Sequence, residues 1–497
     1  MKMKLTAILL LLAMLFAAIV LAGCSNTADD VKQTDTTAGD DVENRAETVA
    51  AVKRPNVPEE NFNGAEFVIL TRGFGVEDPW GVMEVSPESD GGEILNDSVY
   101  ERNRMVEERC NVTIKQLMND TPLTLAQRTI QSQDPDVFDA AWPDLFSATT
   151  LAQANMLINL NSVKYFDFTR EWWDQSSIRD LSIGDKQYIV TGDFSYRTFN
   201  ASWIYAFNKN LVEKMALDSP YDLVNGGKWT IDKFVEMVKS VSDDVDGNGI
   251  MDENDRFGLI TEDSGIFGMY IGAENFVVSK DKDNYPMITI NTERGITTLE
   301  KLFAVMNDRN FVTHTAEAYF RKYPEIWGAL VNIFTDDRAL LYSIVMYTVK
   351  KLRDMESDFG LIPMPKYDER QDKYYTWTSP WISSALILPV TNLEPERAAI
   401  LMEEMSYQSM ITVRPAYYDV SLEGKYTRDT ESVEMLNIIL GNRVYDLGMI
   451  YDWGGVGMLI NSMSNAKADN FSSRYESIAE RAQTALEKTI DEYKSLN

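Results

Sequence analysis

Apolar positions along the chain change period repeatedly, and the changes mark out secondary structure. FVIL (67–70), NVTI (111–114) and DVFDAAW (136–142) are short apolar runs with the length and side-chain types of strands. Between them lie helical spans, the polar stretch 95–109 and then TLAQRTIQSQ. Strands alternating with helices predict a parallel sheet with crossovers. Ligands of such sheets bind at the carboxyl ends of the strands, here the loops after Leu70 and after Ala141. A second block repeats the alternation. YIVTGDFSYRTFNASWIYAFNKNLVEKMAL holds two strand-like runs and a helix start, and RFGLIT, the helical span 294–306, RALLYSIVMY and FGLIPMPK continue it. WISSALILPVTNLEPERAAILMEEMSYQ reads as strand, turn and helix, and the last third is mostly helical, ending in SSRYESIAERAQTALEKTIDEYKSLN.

One amphipathic helix leads into an unusual loop. Ile231, Phe234, Val235, Val238 and Val241 follow i, i+3, i+4, i+7 spacing, with Thr230 as the N-cap. The loop that follows is DVDGNGIMDEND (244–255). Asp244, Asp246, Asn248, Asp252 and Asp255 fall at positions 1, 3, 5, 9 and 12 of a twelve-residue calcium loop. Gly249 falls at position 6, where the chain must turn, and Ile250 at position 7 offers its backbone carbonyl. A hard dication removes the mutual repulsion of so many acids. Aspartate at position 12 is shorter than the usual glutamate, which predicts weaker affinity. No second helix and paired loop follow, so the expected role is a structural Ca2+ clip; the competing reading is a solvated acidic turn without an ion.

The amino-terminal pattern is of another kind. Lys2 and Lys4 precede an apolar run from Leu5 to Ala22, and Leu21-Ala22-Gly23-Cys24 places small residues before a cysteine. This is the pattern of a bacterial lipoprotein signal, residues 1–23, with cleavage before Cys24 and lipid on its sulfur and new amino group. The competing reading is an uncleaved membrane helix. Two or three acyl chains anchor firmly where one would not. Residues 24–61 then read as the lipidated cysteine and a disordered tether, polar and poor in aromatics. Its root-mean-square reach is roughly 30 Å. The folded part is expected outside the cell, held to the membrane through the lipid.

Beyond the tether, about 435 residues suit two or three domains. The net charge of −30, from 77 acidic and 47 basic residues, argues against nucleic acid and against docking on anionic lipid. Once Cys24 is lipidated only Cys110 remains, so no intrachain disulfide is expected, and Cys110 reads as a small buried residue. The single histidine, His314, leaves histidine-dependent hydrolases and zinc sites without support and reads as a surface or helix-start residue.

Several stretches together resemble the solute-binding lipoproteins of ABC importers, of the large sugar-binding type that includes maltose-binding protein. DVFDAAWPDLFSATTLAQANMLINL is similar to the strand, ligand loop and helix of the family's first lobe, and WIYAFNKNLVEKMAL to the opening of its second. GGKWTIDKFVEMVK, DRALLYSIV, FGLIPMPK and DWGGVGMLINSM resemble later segments in the family's order. The resemblance implies an α/β, two-lobed type II periplasmic-binding-protein fold, each lobe a mainly parallel sheet flanked by helices, with a helical C-terminal region. It implies lobe 1 over 62–194 and 373–430, lobe 2 over 195–372 and 431–497, and crossings near 190–200 and 366–380. It further implies hinge closure around a ligand, ABC permease subunits as partners and a monomer. The ligand residues it points to are Arg72, Phe74, Trp142, Asp144, Trp203, Tyr347, Trp377, Trp381 and Trp453. Trp229 reads as packing at a helix start.

Three functions compete on the sequence. The first is a non-catalytic binding protein for a sugar or oligosaccharide, whose faces stack on aromatic rings and whose hydroxyls bond carboxylates, amides and guanidinium groups. The second is an extracellular glycoside hydrolase, which needs two acids about 5–10 Å apart. The third is a surface polysaccharide-binding protein that serves no transporter.

Overall fold

The computed structural model describes residues 53–73, 84–87, 93–323, 326–422 and 431–495; Cys24 and Phe74 lie outside them. The first sheet holds β1 (Ala65–Arg72), β2 (Val112–Asn119) and β3 (Ala140–Trp142), in the order β2-β1-β3 and all parallel. The helix Ile94–Cys110 makes the first crossover and ends at Asn111, whose φ of 45° is a left-handed conformation that asparagine tolerates. The strand expected over 136–142 is shorter than the apolar run. The Asp139 carboxylate takes the Val68 N–H at 2.7 Å and pairs with Arg397, so β3 begins only at Ala140. The segment expected as a strand after Trp381 stays extended but makes single bridges, Ala141 with Ile387 and Val190 with Leu386. Pro389, which has no N–H to donate, lies within it.

The second sheet contains β4 (Trp203–Asn208) and β5 (Phe257–Thr261), followed along the chain by a separate hairpin, β6 (Val278–Lys280) with β7 (Pro286–Ile288). It is completed by β8 (Val312–His314), β9 (Ala339–Val345) and β10 (Phe359–Ile362), in the order β10-β4-β9-β5-β8. β5 runs parallel to β8 and β9, and β4 runs antiparallel to β9 and β10. Every residue of β4, β5 and β9 is buried, which explains their unbroken apolar runs. The helix Ile231–Val241 lies on β5, with Thr230 capping it by accepting the Lys233 N–H at 3.3 Å. Gly258 allows that approach, because a Cβ there would lie 1.9 Å from the Val238 carbonyl oxygen.

Three extended segments run side by side between the sheets. Ser202 bridges Thr378, and β11 (Thr376–Trp377) pairs with β12 (Arg443–Val444). Buried polar groups fix them. The Glu84 carboxylate accepts from the hydroxyls of Ser195 and Ser384, and Arg197 Nε donates to the Ile382 carbonyl at 3.0 Å. Arg443 pairs with Asp174 at 2.9 Å, and the Tyr445 hydroxyl donates to the same carboxylate at 2.6 Å. Removing one partner from such a buried pair costs about 3–5 kcal/mol. The terminal helix Ala479–Ser495 ties in through Thr489, whose hydroxyl accepts from Trp453 Nε1 at 2.8 Å and Gln153 Nε2 at 3.1 Å.

Cys110 is buried and free, and burial pushes its thiol up to about 11, which leaves it unreactive at neutral pH. His314 corrects the expectation of a surface position: it is buried in β8, where burial and the neighbouring Arg309 guanidinium pull it down to about 3. Among the described residues, no helix is long and apolar enough to cross a membrane.

Candidate functional site

The carboxyl ends of the strands meet at one cavity of about 460 Å³ between the two sheets. From the first sheet comes Arg72, the last residue of β1. Its Nη2 lies 3.5 Å from Asp144 Oδ2 and donates to the Trp381 carbonyl at 2.8 Å. Asp144 is also the N-cap of the helix Leu145–Gln153, accepting the Ser147 N–H at 3.0 Å and the Ser147 hydroxyl at 2.8 Å. The cap fixes the carboxylate, and the carboxylate fixes Arg72. Trp381 packs at a tilt on Phe146, with centroids 5.0 Å apart, and keeps 38 % of its surface exposed.

The second sheet supplies the facing wall. Glu262, Asp263 and Ser264 follow β5, and Val345 ends β9. Trp327, on the helix Ile326–Thr335, is 41 % exposed and donates its Nε1–H to Glu262 Oε2 at 3.0 Å. Asn461 donates to the Ser264 hydroxyl at 3.0 Å, while its amide oxygen has no partner among the described residues. Asp263 accepts from Asn465 at 2.7 Å.

The cavity is acidic. Among the described residues Arg72 is the one cation in its lining, against Asp144, Glu262 and Asp263. Burial pushes the Glu262 carboxyl up to about 7, and the Trp327 N–H opposes that rise by bonding the charged form. At neutral pH Glu262 therefore both donates and accepts across its two protonation states.

Of the residues expected at the site, Arg72, Asp144, Trp203 and Trp381 line the cavity together. Trp203 does so while buried, stacked on Trp377 with centroids 5.4 Å apart. The others lie elsewhere. Trp142 is buried against Phe194 at 4.7 Å, and Trp377 is wholly enclosed between Trp203 and Phe267. Tyr347 is buried beneath the Lys350 ammonium, 3.6 Å from the ring centroid. Trp453 is buried and stacked on Tyr451 at 4.7 Å, away from the cavity. Trp229 is core, as expected, donating to the Pro363 carbonyl at 2.9 Å. Sequence reasoning missed Glu262, Asp263, Ser264, Trp327 and Asn461. The carboxyl-end rule applied after RFGLIT would have found the first three. Nothing local marks Trp327 or Asn461.

The acidic loop takes up a metal-compatible shape. Ligand oxygens of Asp244, Asp246 and Asp255 all lie within 4.8 Å of one another. Asp244 accepts the Gly247 and Gly249 N–H groups at 2.8 and 2.7 Å, which curls the turn around its carboxylate. Asp255 is fully buried and accepts from Val245 and Asp252 backbone N–H groups at 2.9 and 2.8 Å. Three carboxylates converging in a hydrogen-bonded turn fit a hard, oxygen-preferring dication.

No family model matches the chain, and no curated protein matches it. Solved structures do. A cyclo/maltodextrin-binding protein complexed with maltotetraose is 10 % identical, with a TM-score of 0.54 over 87 % of this chain and 97 % of its own. UspC from M. tuberculosis is 12 % identical, with a TM-score of 0.53 over 84 % of this chain and 100 % of its own. The maltose/maltodextrin-binding domain MalE from Bdellovibrio bacteriovorus, bound to maltotriose, is 13 % identical, with a TM-score of 0.50 over 86 % and 100 %. The class these likenesses define is a fold: the chain has the two-lobed, type II periplasmic-binding-protein architecture expected from its sequence.

Proposed function

We propose that the chain is an extracytoplasmic solute-binding lipoprotein that captures a sugar or oligosaccharide between its lobes and delivers it unaltered to the permease subunits of an ABC importer. One observation carries this reading. Two half-exposed tryptophans line one cavity, Trp381 beside Arg72 at the end of β1 and Trp327 beside Glu262 after β5. Rings presented this way stack on the C–H faces of a sugar, and closure of the lobes would bring them together. Arg72, Asp144, Glu262, Asp263 and Asn461 supply donors and acceptors for hydroxyls. The neighbours bound to maltotetraose and maltotriose support a carbohydrate ligand.

In the same reading, Cys24 carries the lipid that holds the chain to the cell membrane, and the protein acts as a monomer. Asp244, Asp246, Asn248, Asp252, Asp255 and the Ile250 carbonyl would hold a structural Ca2+, whose charge offsets the repulsion of the carboxylates and stiffens the entry to β5. Isothermal titration against a panel of neutral mono- and oligosaccharides tests the function. Saturable binding that is lost in Trp381→Ala supports it; no binding across the panel, or release of a hydrolysed product, overturns it.

A further inference from the structure

A second cavity, of about 570 Å³, lies beside β12 and shares no lining residue with the cleft. Both sheets' surroundings build it: the helix Gln175–Leu181 on one side, the β6–β7 hairpin on the other, and the segment 441–447 along its floor. Its size is that of a small-molecule site.

Its charge is opposite to that of the cleft. Arg179, Lys280, Lys373 and Arg443 line it, against Asp180 and Asp446, in a chain of net charge −30. Both acids are satisfied within the protein. Arg179 grips Asp180 through Nε and Nη2 at 2.6 and 2.9 Å, and the Tyr445 N–H adds a third bond at 3.1 Å. Asp446 takes the backbone N–H groups of Val277 and Met449 at 2.8 and 3.1 Å. The cations are less well served. Arg443 gives Nη2 to Asp174, but its buried Nε and Nη1 have no partner among the described residues. The Lys373 ammonium has no hydrogen-bond or ion-pair partner there either. Buried guanidinium N–H groups left without an acceptor are costly.

We propose that this cavity binds a small molecule carrying an oxyanion, a phosphate or a carboxylate. Lys373 meets the anion at the rim, and the under-used guanidinium of Arg443 contributes the field behind it. Lys280 donates to the carbonyls of Arg179 and Ser182, the latter at 2.6 Å, and so joins the hairpin to the opposite wall and holds the cavity's two sides in register.

Titration calorimetry of the full chain with inorganic phosphate and gluconate tests this. Phosphate binding without gluconate binding assigns the site to phosphates; the reverse assigns it to carboxylates. Lys373→Ala, an exposed position, is expected to weaken the anion about tenfold, while Arg72→Ala in the cleft leaves anion binding within about twofold. Three results overturn the proposal: neither anion binds, Lys373→Ala has no more effect than the remote Lys488→Ala, or Arg72→Ala abolishes anion binding. None of these results bears on whether the cleft takes a neutral sugar.

Discussion

The indole Nε1–H of Trp327 donates to Oε2 of Glu262 across 3.0 Å, tying the ring of one helix to the carboxylate that follows β5. Trp327 stays 41 % exposed in the cavity lining, and the bond satisfies one oxygen of Glu262 in a place that disfavours charge.

That placement has a pH signature. The folded-state value of Glu262, about 7, lies above its ordinary 4.5, so between those values the folded chain binds more protons than the unfolded chain. The contribution of Glu262 to stability is then fully present below about pH 4.5 and is lost as pH rises through about 7. Glu262→Gln imitates the neutral acid and keeps an acceptor for Trp327. Calorimetric melting curves should coincide for the two proteins at pH 5, with the variant melting higher at pH 8 by on the order of 2 °C. A variant that melts lower at pH 8 would contradict the assignment.

Trp381 and Trp377 stand four residues apart and should respond in opposite ways. Trp377 is wholly enclosed, so Trp377→Ala is expected to cost about 3–5 kcal/mol of stability. Trp381→Ala should leave the melting temperature nearly unchanged and weaken sugar binding at least tenfold, about 1.4 kcal/mol. Denaturant titration and calorimetry measure the two losses separately; a Trp381→Ala protein that binds as wild type would remove the ring from the site.

The acidic loop predicts a metal-dependent melt. EDTA should lower the melting temperature, and added Ca2+ should restore it. Asp246→Ala, which removes the ligand oxygen, should abolish that response while leaving the EDTA-treated melting temperature nearly as it was, because Asp246 lies at the surface. Asp255→Ala should destabilise the chain even in EDTA, since it removes the buried carboxylate that accepts the Val245 and Asp252 N–H groups. An EDTA-insensitive wild type would remove the ion from the picture.

The anchor is tested at Cys24. Cys24→Ser should shift the protein from the membrane fraction to the medium and end incorporation of labelled palmitate; membrane retention of the variant would point to an uncleaved helix.

Periodicity and capping determined much of the fold. The strands expected at 67–70 and 111–114, which the structure extends to Arg72 and Asn119, the helix Ile231–Val241 with its Thr230 cap, and the alternation that makes the first sheet parallel all follow from neighbours in sequence. The carboxyl-end rule located Arg72 and Asp144 for the same reason: a strand's end and the cap of the next helix are local features. What ended β3 early was not local, because Asp139 bonds Val68, on β1, and Arg397, in a helix far along the chain.

Tertiary structure alone decided which aromatics line the cavity. Trp142, Trp377 and Trp453 carry the same side chain as Trp381 and Trp327, yet each is closed off by a partner remote in sequence: Phe194, Trp203 and Thr489. A tryptophan's own neighbours set where its Cβ points, but its exposure depends on which distant element covers it. The sequence by itself determined the strand and helix order and the acidic loop; only the packing of distant elements brought Trp327, Glu262 and Asn461 into one cavity with Arg72 and Trp381.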